Sequence, residues 1–198
     1  LAAHFPAEFK AAQRPAAEVV PAPSPSGSVD LTLVPGDELT AADSPKIQGR
    51  GIYLNASFDY NPELDGDSTL LSHGDSKLGY VLHLVASRPT LTIFVDGQAT
   101  AIAADTLEAG KANVRALIAN SGFMSIAVPG KSEVLDLTPF ENGFPTEPAK
   151  GITAAQSFGP LSVKDYPNST PFDGVIRRMN VTLMPPSEVV AKPLPVKQ

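Results

Sequence analysis

The sequence predicts an all-β fold, an antiparallel two-sheet jelly-roll sandwich. Apolar and polar residues alternate in many short runs between residues 29 and 184. Turn residues close these runs at short intervals, and no internal stretch carries a convincing helical period. With 198 residues the chain suffices for one such core and is short for two.

The elements follow in order. Residues 1–28 form an arm: Pro6 suits the first turn of a short helix with Phe5 and Phe9 on one side, and residues 15–27 read as polyproline-like linker. The sandwich domain spans 29–184. Ile52, Leu54, Ala56 and Phe58 alternate with Tyr53, Asn55, Ser57 and Asp59, as in a half-buried strand. Runs at 80–86 and 90–95 are two more strands, separated by Ser87, Arg88 and Pro89. Asp96-Gly97 supplies a positive-φ hairpin turn into 99–103. Val114, Ala116 and Ile118 alternate again, as do Met124, Ile126 and Val128 before the Pro129-Gly130 turn. In the last strand, Ile176 to Met179 is a step of three, after which Val181 and Leu183 return to two, so a β-bulge is expected. Residues 185–198 are a proline-rich tail.

Composition excludes several functions. With 21 Asp+Glu against 15 Lys+Arg there is no basic stripe to follow phosphates, so nucleic acid is not an expected partner. The absence of cysteine removes disulfides, thiol catalysis, zinc fingers and iron–sulfur clusters. No apolar run approaches the roughly 20 residues of a membrane-spanning helix. No leader peptide is visible before Leu1, and a start at Leu rather than Met reads as a processed product or fragment.

Several segments resemble the laminin-G and concanavalin A-like superfamily. Residues 51–58, 65–74 and 79–84 are similar to its opening strands, and 171–179, with Phe172 and Gly174 before an apolar strand, to its closing one. Within that superfamily the C-terminal accessory region of bacterial arylsulfatases is the branch that matches furthest. Residues 1–9 resemble the helical stretch after the catalytic domain; 34–36, 44–47, 107–115 and 164–172 resemble later loops and strands. Residues 127–130 depart, reading Ala-Val-Pro-Gly where that branch has an aromatic-Val-Asp-Gly turn.

The resemblance implies a non-catalytic accessory sandwich, packed on a larger partner or catalytic domain of an extracytoplasmic protein. The alternative is a carbohydrate-binding module. Sulfatase chemistry needs a Cys/Ser-x-Pro-x-Arg motif; Ser87-Arg-Pro-Thr-Leu91 has Leu91 in place of the Arg and falls in a turn. Ser72, His73 and Asp75 are neighbours on an extended strand and do not converge as a triad. His83 is expected as a half-exposed structural histidine. Glu133 and Asp136 do not reproduce the paired carboxylates of a concanavalin-fold glycosidase. No catalytic, cofactor-binding or metal-binding residue is therefore assigned.

Asp65, Asp67 and Asp75 offer hard oxygen ligands in loops, which would suit calcium; Asp and Gly are also default turn residues. Tyr60 and Tyr166 fall in expected loops, where exposed rings would stack on sugars; such tyrosines more often cover core edges, and the lack of Trp weighs against a lectin. The triplets at Asn55, Asn168 and Asn180 fit the N-glycosylation pattern and receive no function.

Overall fold

The fold is that of a computed structural model, described over residues 29–65, 67–155, 170–172 and 174–186. The expected helix around Phe5 and Phe9, the polyproline linker and the tail beyond residue 186 lie outside the described residues. The described elements are β1 (Val29–Leu33), β2 (Ile52–Tyr60), α1 (Pro62–Asp65), β3 (Ser68–Gly74), β4 (Leu78–Val85), β5 (Arg88–Val95), β6 (Gln98–Ala103), β7 (Gly110–Ile118), β8 (Phe123–Ala127), β9 (Val134–Leu137), β10 (Ile152–Ala154), β11 (Thr170–Pro171) and β12 (Ile176–Leu183). They form two sheets. The first runs β1-β12-β2-β7-β8-β9; the second runs β10-β3-β4-β5-β6, with β11 beside β3.

Alternation in β2 dictates its place. Ile52, Leu54, Ala56 and Phe58 are fully buried, while Tyr53, Asn55, Ser57 and Asp59 are half-buried on the opposite side. The same holds for Val114, Ala116 and Ile118 of β7, and for Met179, Val181 and Leu183 of β12. These inner faces meet Leu71, Leu82, Leu84, Leu91 and Ile93 of the second sheet in one core. Each such aliphatic side chain stabilises the fold by about 1.5–3 kcal/mol relative to exposure.

Two hairpins shape the second sheet. Asp96 and Gly97, at φ 52° and 78°, make the expected turn between β5 and β6. The β4–β5 turn is Ala86–Ser87, at φ 47° and 66°. The sequence placed Arg88 and Pro89 in this connection; instead they open β5, opposite Val85 and Leu84. A two-residue turn with both φ positive follows the strand twist, so the ladder runs up to it even with Ala and Ser there.

In β12 the bulge is present, with the register shifting between Ile176 and Arg178 against Phe58 and Ser57 of β2. Strands β9, β10 and β11 were not expected. Three of the four β9 residues are exposed, and the three of β10 are all buried, so neither shows alternation. Their pairing is set by the strands beside them.

Candidate functional site

The two sheets present different outer faces. On the second sheet, Thr69, Ser72, Val81, His83, Thr90, Thr92, Phe94 and Thr153 all lie at 3% exposure or less. Their polar groups are engaged: Ser72 Oγ bonds Thr153 Oγ1 at 2.8 Å, and His83 Nε2 bonds Thr92 Oγ1 at 3.0 Å. His83 is therefore buried rather than half-exposed. Desolvation lowers its pKa to about 4, against a smaller opposing pull from Asp67.

The first sheet keeps its outer face open. Paired residues of an antiparallel ladder point to the same side, so register alone assembles the surface. One row reads Thr32, Asn180, Asn55, Arg115, Ala127 across β1, β12, β2, β7 and β8. A second reads Asp30, Thr182, Tyr53, Leu117, Ser125, Leu135. A third reads Arg178, Ser57, Asn113. Tyr53, Asn55 and Asn180 are half-buried, while Asn113, Arg115 and Arg178 are exposed.

The bulge gives this face its two adjacent guanidinium groups. The extra residue leaves Arg177 and Arg178 both outside. Arg177 is spent within the protein, since its Nε and Nη2 donate to the two oxygens of Asp59 at 2.8 and 2.6 Å. That bond is the main cause holding the Asp59 carboxyl below its ordinary range, and it raises Arg177 in turn. The Asn180 amide is satisfied when its oxygen turns to Arg178, accepting from Nε and Nη2 at 3.2 Å. Two of the three glycosylation triplets, at Asn55 and Asn180, thus sit opposite one another on this face; Asn168 lies outside the described residues.

Other sequence candidates do not assemble. Asp65 and Asp67 stand before β3 and Asp75 after it, about 20 Å apart for a strand of this length. Asp67 accepts from Ala86 N–H at 2.7 Å, and Asp75 caps its own turn by accepting from Lys77 and Leu78 N–H. The three carboxylates therefore do not come together, and among the described residues no group of three or more potential ligands converges. Tyr60 closes β2 on the core side at 3% exposure, so it presents no ring to solvent; Tyr166 lies outside the described residues. The half-exposed tyrosine of the open face is Tyr53, visible in the sequence as a polar-phase position of β2.

Ser72 and His73 point to opposite sides of β3. The His73 ring packs edge-on to Tyr80 at 5.5 Å, and His73 Nδ1 and the Tyr80 hydroxyl are buried without a hydrogen-bond partner. Desolvation, with Lys46 adding to it, lowers His73 to about 4, and burial raises Tyr80. A group kept neutral in this way and closed off from solvent is a poor proton carrier at neutral pH. Ser87 occupies the β4–β5 turn.

No protein-family model matches the sequence, and no curated protein does. Solved structures do match. The CBM40 of the Ruminococcus gnavus IT-sialidase, bound to α2,3-sialyllactose, superposes with a TM-score of 0.54 at 12% identity, over 79% of this chain and 90% of that one. A second structure of that CBM40 gives 0.52 at 12% identity, over 78% and 92%. Domains LG4-5 of the mouse laminin α1 chain give 0.52 at 12% identity, over 78% of this chain and 41% of that chain. At these identities the likeness establishes the fold: a jelly-roll sandwich of the laminin-G and concanavalin A-like kind. The arylsulfatase resemblance gains no support from it.

Proposed function

We propose that this chain is a non-catalytic glycan-binding domain of an extracytoplasmic protein, and that it binds through the outer face of the first sheet. The observation that carries this reading is the row Asn180, Asn55, Arg115, flanked by Tyr53 and Arg178, on the sheet whose outer face stays open. Amides offer both donors and an acceptor, and a guanidinium offers a planar fork of donors, which suits the paired hydroxyls of a sugar ring. Tyr53 supplies an apolar surface for the ring's C–H face. The solved CBM40 with sialyllactose supports the reading, because the same sandwich serves there as a sugar-binding scaffold.

Retardation in glycan-containing gels, or a glycan array, tests it with and without calcium. Binding by the intact chain, weakened by Asn55→Ala and Arg115→Ala, is the expected result. Intact binding in both variants would overturn it.

One observation favours the accessory role as a second reading. Phe123, Leu135 and Leu137, at 38%, 64% and 73% exposure, form an apolar strip along β8 and the edge strand β9, where Phe123 faces Leu137. Such a strip suits contact with a larger protein. Lysine at Leu135 and Leu137 would remove that contact and spare glycan binding.

A further inference from the structure

The ladder between β7 and β8 is incomplete. Pairing runs only from Arg115–Ala127 to Ile118–Met124. From Gly110 to Val114, β7 pairs with β2 on one side and, among the described residues, with no strand on the other. Beyond Ala127 the chain leaves through Val128, Pro129 and Gly130, and Lys131 N–H closes that turn on Val128 C=O at 3.0 Å. A depression of about 250 Å³ opens between the unpaired half of β7 and this turn.

Its lining is chemically divided. Leu107, Ala112 and Val128 are buried and make an apolar floor. Glu108, Lys111, Asn113 and Lys131 are its exposed polar rim. Lys131 Nζ donates to Thr106 C=O at 2.6 Å, which holds the turn against the loop before β7 and leaves the ammonium further donors. Two ammonium groups line the depression with one carboxylate, Glu108, in a chain whose formal net charge is −6. Asp59, opposite Lys111 on the ladder and within its field, is already bonded by Arg177 through both oxygens. Asn113 also belongs to the Arg178, Ser57, Asn113 row, so the depression continues the open face.

We propose that this depression is a subsite for an anionic sugar unit. The carboxylate or sulfate lies on Lys111 and Lys131, and hydroxyls bond Asn113, Glu108 and the open edge of β7. The proposal rests on the glycan-binding reading and adds direction: the ligand spans more than one unit, with its charged unit at the Lys111 end.

Titration calorimetry on the full chain tests it with three probes: a neutral oligomannose, an oligogalacturonate, which carries only carboxylates, and a κ-carrageenan oligosaccharide, which carries only sulfates. Lys111→Ala and Lys131→Ala are each expected to weaken an anionic probe about tenfold and to leave the neutral probe unchanged. Lys131→Arg, which keeps the charge, should retain binding. The two anionic probes distinguish carboxylate from sulfate as the preferred group. Neutral binding with anionic affinities untouched by both alanine variants, or with no anionic binding at all, overturns the subsite alone. No binding of any probe overturns the glycan reading and the subsite together.

Discussion

Arg177 holds both carboxylate oxygens of Asp59, at 2.8 and 2.6 Å, across the β12–β2 ladder. Its sequence neighbour Arg178 stays on the same side of the sheet because the bulge admits one residue more than β2 can pair. Arg177 is thus held by a carboxylate, while Arg178, among the described residues, bonds only the neutral Asn180 amide beside it and keeps its charge on the open face.

Arg177→Ala and Arg178→Ala should therefore separate. The Arg177–Asp59 pair is half exposed and screened by solvent, so losing it shifts the melting temperature by only a few degrees at most. Arg178→Ala should leave thermal stability unchanged and weaken glycan binding. Thermal unfolding and calorimetry on the two variants check the split.

Acid should unfold the protein through His73 and His83. Both are held near 4 in the folded chain by desolvation, against an ordinary value of 6.5. Above that ordinary value both states are neutral and the histidines add no pH dependence. As pH falls from 6.5 towards 4, the unfolded chain takes up protons that the folded one refuses. Stability then drops by about 1.4 kcal/mol per pH unit for each histidine. Urea midpoints across this window measure the slope; His83→Gln should make it shallower, and an unchanged slope would contradict the assignment.

The Ala86–Ser87 turn is open to improvement. Both residues adopt positive φ, which costs a side chain other than Gly or Asn. Ala86→Asn with Ser87→Gly places the preferred pair there, and should stabilise the domain by about 0.5–1 kcal/mol. Denaturant unfolding reads the gain as a higher midpoint at unchanged m-value.

Gly79 should tolerate no side chain. Its φ is +152°, and a Cβ would stand 2.1 Å from His73 O and 2.9 Å from Gly74 Cα, both backbone atoms that cannot swing aside. Gly79→Ala should cost about 3 kcal/mol or more by forcing the β3–β4 hairpin apart. Gly97→Ala, where a Cβ meets nothing within 4 Å, is the control, strained by φ alone.

Much of this was legible beforehand. Strands β2, β7 and β12 announce themselves by alternation, and the β12 bulge by one step of three between Ile176 and Met179. Asn55 and Tyr53 were recognisable as outward positions of β2. What escaped was context. His83 occupies an outward position too, yet it is buried, because the outer face of its sheet is covered. Tyr60 follows Phe58 in the inner phase but stands next to loop residues, which hid its burial. Asp65 and Asp75 look near in sequence, and an extended β3 holds them apart.

The chain's own residue order determined which stretches extend, which side of each is apolar and where turns and the bulge occur, because a two-residue period depends only on adjacent side chains. The tertiary structure decided which outer face stays open, and it aligned Asn180, Asn55 and Arg115 in one row. That row joins strands more than a hundred residues apart, β2 at Ile52–Tyr60 with β12 at Ile176–Leu183. Their register is set by burial of the shared core, a quantity that no local stretch of sequence contains.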